Sequence, residues 1–312
     1  LAGRLQQAFA APVLIDDTEV QTGAGIGITC SDIGYAVAED ALRDAQLALG
    51  MSARSGQGRC AVFDPSLHDR AGELLLLETD LRRALEAEQL SLAFQPVFGI
   101  EPQRLIGFEA LARWPHVTRG MVSPGEFIPV AEASGLIVPL TRWALWAACA
   151  QLSQWRARHA DLEALFVNVN IAGQDLCEAG FADFVRDTLD EHGLPSHCLT
   201  LEITETALMQ QLQAGERTLA RLRDMGIGLS VDDFGTGYSS LSHLSTLPIS
   251  SLKIDRSFVS RLDGVSVETE IVRAVVQLGQ ALGKRVIAEG IETQGQLERL
   301  RALGCAYAQG FL

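Results

Sequence analysis

Six short apolar runs in this chain each end in acids or amides: LIGFEALARW (105–114), LFVNVN (165–170), LTLEITE (199–205), IGLSVDDFGTG (227–237), SSLKID (250–255) and RVIAEGIE (285–292). Glu109, Asn170, Glu202, Asp232, Asp233, Lys253, Asp255, Glu289 and Glu292 stand at or near the C-terminal ends of those runs. Glu109, Asn170, Glu202 and Asp232 could each give an oxygen to one cation, and Asp233 beside Asp232 allows a second, since a carboxylate can bridge two ions. Hard oxygen donors of this kind suit magnesium or manganese better than zinc, which recruits His or Cys. Two such ions can activate a water and stabilise the leaving oxygen of a phosphodiester. Each acid taken alone also suits a turn after a strand; six strand ends together point to a site. Lys253 alternates with Leu252 and Ile254. It either fixes a nucleophilic water and neutralises a phosphate oxygen or simply pairs with Asp255.

The elements that must hold these residues follow from the spacing. The clusters recur at roughly twenty to sixty residues, often about the length of a strand, a helix and two turns. Helices are expected at 125–135, 139–159, 181–192, 212–225, 266–283 and 293–303. They alternate with strands at 165–170, 199–204, 227–232, 250–254 and 285–288. That alternation predicts a parallel α/β barrel, whose C-terminal strand ends converge on one face. SLAFQPVF and RLIGFEALARW flank the turn GIEPQ and read as a β-hairpin, with Gln95 opposite the polar face of Glu109, Leu111 and Arg113. The chain ends at Gln309-Gly310-Phe311-Leu312, on the expected last barrel strand, so a further covering helix is expected beyond it.

Residues 1–64 have a different rhythm, an α-β-β-α-β series in which VQTGAGIGIT reads as one strand. A helix from Ser66 to about Glu88 follows and links the two parts. The expected division is 1–64, a linking helix over 65–89, and the barrel over 90–312.

Composition excludes several classes. The chain carries 25 basic and 39 acidic residues in 312, a formal charge of −14, so it is not a binder of long nucleic acid through phosphate neutralisation. Its six cysteines are scattered without a CxxC pair and read as reduced thiols of a cytoplasmic protein. No apolar run reaches the length of a membrane span. A start at Leu1 suggests a fragment, leaving room for upstream sensory or membrane segments. The six histidines show no metal-ligand spacing, His192 and His197 read as solvated, and none is assigned to catalysis. No P-loop or nucleophile elbow is present.

These motifs resemble a known family. FEALARW, VNVNIAGQDL, LEITET, VDDFGTGYSSL, LKID, AEGIE and AQGF follow in the order of the EAL-domain phosphodiesterases, which hydrolyse cyclic di-GMP to linear 5'-pGpG in bacterial second-messenger signalling. The resemblance implies a modified TIM-type (β/α)8 barrel with an antiparallel first strand. It implies Glu109, Asn170, Glu202 and Asp232 as metal ligands, Asp232 bridging and Asp233 serving the second ion, with two Mg2+ or Mn2+ ions per site. Lys253 would hold the attacking water, and Glu289 and Gln309 would complete the water and metal shell. Gln95, Leu111, Arg113, Asp255 and Gln309 would contact substrate, and Glu205 would anchor the glycine-rich loop 234–241. One departure is Ala172, where the family often has Ser; no ligand is lost. The alternative within the family, a catalytically inactive cyclic di-GMP receptor, is reached when ligands are lost.

Residues 1–64 resemble the C-terminal part of a GGDEF domain, through TGAGIGIT and EDALRDAQLALGMSARSGQGRCAVFD. The Gly-Gly-Asp/Glu-Glu-Phe signature is absent, so no cyclase activity is expected of this chain. A homodimer is expected, through the helix-like SSLSHLSTL that follows the loop.

Overall fold

The computed structural model describes residues 1–9, 13–15, 18–20, 23–54, 60–159, 164–235, 247–262 and 266–312. The chain divides into two compact units, Leu1–Thr79 and Asp80–Leu312.

In the first unit, α1 (Ala2–Phe9) precedes an antiparallel pair, β1 (Val13–Ile15) and β2 (Thr18–Val20). β3 (Ile26–Ile28) then runs parallel to β4 (Cys60–Val62), joined by the crossover helix α2 (Ala38–Arg54). A parallel pair needs such a crossover. Gly27 admits the helix, because a Cβ there would collide with the Ala45 carbonyl. The single strand expected over VQTGAGIGIT is therefore two strands that belong to different sheets. α3 (Ser66–Glu86) contains the boundary between the units.

The second unit is a closed eight-stranded barrel. Its strands are β5 (Ser91–Gly99), β6 (Arg104–His116), β8 (Phe166–Asn170), β9 (Leu199–Thr204), β10 (Gly228–Phe234), β11 (Ser251–Ile254), β12 (Arg285–Ile291) and β13 (Tyr307–Gly310). β5 is antiparallel to both neighbours, β6 and β13, and every other barrel pairing is parallel. The short β7 (Gly120–Val122) extends the end of β6. Around the barrel lie α4 (Pro124–Ser134), α5 (Ile137–Arg158), α6 (Gly173–Cys177), α7 (Phe181–Glu191), α8 (Glu205–Asp224), α9 (Arg256–Val259), α10 (Val267–Ala281) and α11 (Gln294–Ala302). The helix expected to begin at 212 starts at Glu205, because Thr204 caps it by accepting from the Ala207 N–H.

Strand alternation sorts the barrel into two faces. Val167, Val169, Leu201, Ile203, Leu229, Val231, Leu252, Ile254 and Ala288 are buried within the main core. The alternate residues face inward. At the end of the barrel where the parallel strands begin and the antiparallel β5 finishes, Val97, Phe166 and Ile287, with Tyr307, form a separate apolar plug. Gly107 makes room for it, since a Cβ there would lie 2.7 Å from the Phe166 ring. Above the plug the buried interior turns polar, with Asn168, Thr200, Ser230 and Ser251. The carboxylates lie above that layer.

Candidate active site

Lys253 is the hub of the barrel mouth. It is fully buried, and its Nζ lies 2.9 Å from Glu202 Oε2, 3.0 Å from Glu109 Oε2, 2.5 Å from Glu289 Oε1 and 3.5 Å from Asp232 Oδ1. Four strands supply its partners: β6, β9, β10 and β12. The alternative pairing with Asp255 is not what forms. Asp255 instead caps α9, accepting from the Ser257 N–H at 3.0 Å and from its hydroxyl. An ammonium with three protons turns toward four nearby carboxylates rather than toward one partner at the strand's edge.

The remaining polar residues orient those carboxylates. Asn170 Nδ2 donates to Glu109 Oε1 at 2.7 Å, which leaves the Asn170 carbonyl oxygen free of that bond. Gln309 Nε2 donates to Glu109 Oε2 at 2.6 Å and to Gln95 Oε1 at 3.0 Å, tying β5, β6 and β13 together. Asn168 Nδ2 donates to Glu202 Oε1 at 2.6 Å. Reading the sequence missed Asn168, although the alternation in VNVN puts it on the same face as Asn170.

Two bulges bring adjacent residues to one side. Register shifts between Val231 and Phe234 where β10 meets β11, and Asp233 has a left-handed φ of 53°. A second shift falls between Ala288 and Ile291 on β12, where Gly290 has φ 71°. Neighbours on a regular strand face opposite ways; a bulge re-aims them. Carboxylate oxygens of Asp232, Asp233 and Glu289 consequently lie within 4.8 Å of one another.

Burial drives the Glu202 carboxyl well above the usual range, opposed by Lys253 and reinforced by Glu109 and Asp232. Glu289 is pushed up to about 8, chiefly by burial, with Lys253 again opposing. Asp233 is raised to about 6 by burial, then by Asp232 and by Asp255, with which it shares a side-chain hydrogen bond. Glu109 moves the other way: burial would raise it, but Lys253, Gln309 and Asn170 together hold it below the ordinary value. Burial works against the Lys253 ammonium, yet Glu202, Glu109, Glu289 and Asp232 outweigh it and keep the lysine charged. Burial thus holds three of the five carboxyl groups above their ordinary values even beside the ammonium, and a hard divalent cation, which favours their charged forms, fits that all-oxygen donor set.

Leu111 and Arg113 follow Glu109 on the same face of β6, opposite Ala93 and Ser91 of β5. Glu205 is buried as the first residue of α8, one position beyond the end of β9, and its Oε2 accepts from the Gly235 N–H at 3.0 Å. The loop it was expected to hold, and the SSLSHLSTL segment, lie mostly at 236–246, outside the described residues. His192, expected to be solvated, is half-buried edge-on against Trp146, ring centroids 5.1 Å apart.

A family described as the EAL domain matches residues 78–312. MucR of Pseudomonas aeruginosa, a bifunctional diguanylate cyclase/cyclic di-GMP phosphodiesterase, is 41% identical across 100% of this chain and 45% of its own length. The cyclic di-GMP phosphodiesterase NbdA of the same organism is 39% identical across 100% of this chain and 40% of its own. The chain thus spans less than half of either relative. A solved structure of the PaMucR phosphodiesterase in complex with c-di-GMP superposes with a TM-score of 0.72 at 44% identity, covering 76% of this chain and 95% of that one.

Proposed function

The chain belongs to the EAL domain family, and we propose that its barrel mouth hydrolyses cyclic di-GMP to linear 5'-pGpG with the help of divalent metal ions. The observation that carries this reading is the buried Lys253 set among Glu109, Glu202, Asp232 and Glu289.

Glu109, Asn170, Glu202 and Asp232 would hold one Mg2+ or Mn2+ ion, and Asp232 with Asp233 a second. When bound, such ions supply Lewis-acid stabilisation of phosphoryl oxygens and activation of water. The chain's own groups do the rest. Lys253, held on the carboxylates, is a donor; it positions the attacking water and does not take its proton. Glu289, at the rim of the same cluster, offers that water an acceptor. Gln309 and Asn170 keep both oxygens of Glu109 in place, so the ligand cannot rotate. Gln95, Leu111, Arg113, Asp255 and Gln309 line the approach, Arg113 bringing the positive charge that an anionic dinucleotide needs.

In this reading residues 1–64 are a partial GGDEF-like segment without cyclase activity, and the barrel answers to an upstream sensory or GGDEF region of a longer parent. A homodimer is its working form, in the cytoplasm. Among the described residues no helix is long and apolar enough to cross a membrane. Incubation with cyclic di-GMP and Mg2+ or Mn2+, followed by separation of the nucleotides, tests the proposal. Linear 5'-pGpG appearing only with the metal supports it. Tight binding with no product would make the protein a receptor instead.

A further inference from the structure

The polar layer beneath the carboxylates contains a residue that the metal-ligand set does not account for. Asn168 is 1% exposed and faces the barrel interior from β8, in register with Glu109 on one side and Thr200 on the other. Its Nδ2 donates to Glu202 Oε1 at 2.6 Å, while Lys253 donates to the other oxygen, Glu202 Oε2, at 2.9 Å. The amide presents its nitrogen to Glu202, the orientation that suits this carboxylate as a metal ligand, since it then only accepts. Glu202 is therefore clamped from two strands at once, one oxygen by a neutral donor from below and the other by an ammonium from the side. Within the barrel mouth it is the carboxylate with no exposed surface. Its orientation is set by these donors.

We infer that Asn168 is a positioning residue for the metal site, fixing the plane of the Glu202 carboxylate so that its oxygens meet a divalent cation without rearrangement. This inference rests on the proposed reading of the mouth as a metal-dependent site. The neighbouring layer shows why Asn168 alone has this role. Ser230 is in register with Glu202 from the opposite strand, β10, is equally buried, and its hydroxyl makes no hydrogen bond to the protein. Of these two buried polar neighbours, Asn168 reaches Glu202 from one residue pair lower on β8, and the Ser230 hydroxyl beside it does not. Partners that orient metal ligands in this way typically change metal affinity about 10- to 100-fold when removed.

The test is Mn2+ binding to the whole chain by titration calorimetry without nucleotide, beside turnover of cyclic di-GMP at saturating Mn2+. Asn168→Ala and Asn168→Leu should both weaken Mn2+ binding about 10- to 100-fold, with KM for the nucleotide nearly unchanged. Asn168→Leu keeps the side-chain volume and adds no charge but loses the donor, so it decides the matter even where the alanine variant folds poorly. Ser230→Ala should bind Mn2+ like the parent. Parent-like or tighter Mn2+ binding by Asn168→Leu would overturn the role, as would an equal loss in Ser230→Ala, which would assign the effect to packing of the layer. A parent whose Mn2+ affinity depends on Asn168 yet which never cleaves cyclic di-GMP would refute the proposed function and leave this inference standing.

Discussion

Lys253 shows how one side chain can be both structural and chemical. Its ammonium offsets carboxylates on four strands, and breaking a buried pair of this kind costs about 3–5 kcal/mol because uncompensated charge is left inside. Lys253→Ala should therefore lower the melting temperature of the metal-free protein substantially. The same substitution removes a competing cation, so Mn2+ should bind as tightly as before or more tightly and restore most of that stability. Turnover should nonetheless fall at saturating metal by about two orders of magnitude, the loss typical when an electrostatic donor is deleted. Calorimetric Mn2+ binding that weakens in parallel with turnover would show that the lysine serves only to hold the ligands. At this scale much of the site could be read from the sequence, since an acid or lysine alternating with Leu, Ile and Val has no ordinary reason to sit on a core strand. Asn168 escaped because an amide beside a stronger candidate, Asn170, attracts no separate explanation. Which of its neighbours Lys253 would choose also required three dimensions, because Asp255 is close in sequence and Glu109 is not.

At the scale of elements, the helices and strands of the barrel followed hydrophobic periodicity, whereas the bulges did not. Regular alternation would send Asp232 and Asp233 to opposite faces; a left-handed Asp233 and a slipped register bring both to the mouth. The corresponding bulge on β12 relies on Gly290, whose φ is 71° and where a Cβ would strike the Arg256 side chain. Gly290→Ala should destabilise the protein by about 1 kcal/mol or more from backbone strain alone. Because Glu289 precedes it, Mn2+ affinity should fall with stability; unaltered affinity in calorimetry would separate the bulge from the site. The entry to α6 gives an independent pH signature. Asp175 is buried there, its Oδ2 accepting from the Thr141 hydroxyl at 2.9 Å and the Ala172 N–H at 2.7 Å, while Oδ1 has no hydrogen-bond partner. Burial raises its carboxyl to about 6, against the pull of those two donors. A folded value above the unfolded 3.8 means that its contribution is fully present below pH 3.8 and is lost as pH rises through about 6. Asp175→Asn keeps the acceptor and turns an amide toward the unfilled side. It should stabilise the fold at about pH 7.5 by on the order of 2 kcal/mol, with the gain vanishing near about pH 4. Thermal melts across that range check it, and a gain independent of pH would assign the effect to packing.

In the proposed reading the whole molecule combines a net acidic charge with a site for an anionic ligand. Barrel class and closure were legible because alternating elements with inward polar residues admit few other architectures. The first unit was less so, since strands of three residues carry too little periodicity to show that VQTGAGIGIT splits between two sheets. Charge was plain from composition: 39 acidic against 25 basic residues give −14. Cyclic di-GMP, the proposed substrate, carries two phosphodiester charges, so the field of the whole protein would repel it while cations bound at the mouth would attract it. The two contributions differ in range. At about 0.01 M salt the screening length is roughly 30 Å and the distant acids are felt; at about 0.1 M it is roughly 10 Å and they are largely hidden. The attraction at the mouth acts over a few ångströms and survives. With Mn2+ kept saturating, kcat/KM for cyclic di-GMP should therefore rise about two- to threefold across that salt interval, through faster association rather than faster chemistry. kcat should stay constant. A fall in kcat/KM with salt would mean that Arg113 and the bound ions steer the ligand at long range and that the net charge of the chain is irrelevant to capture.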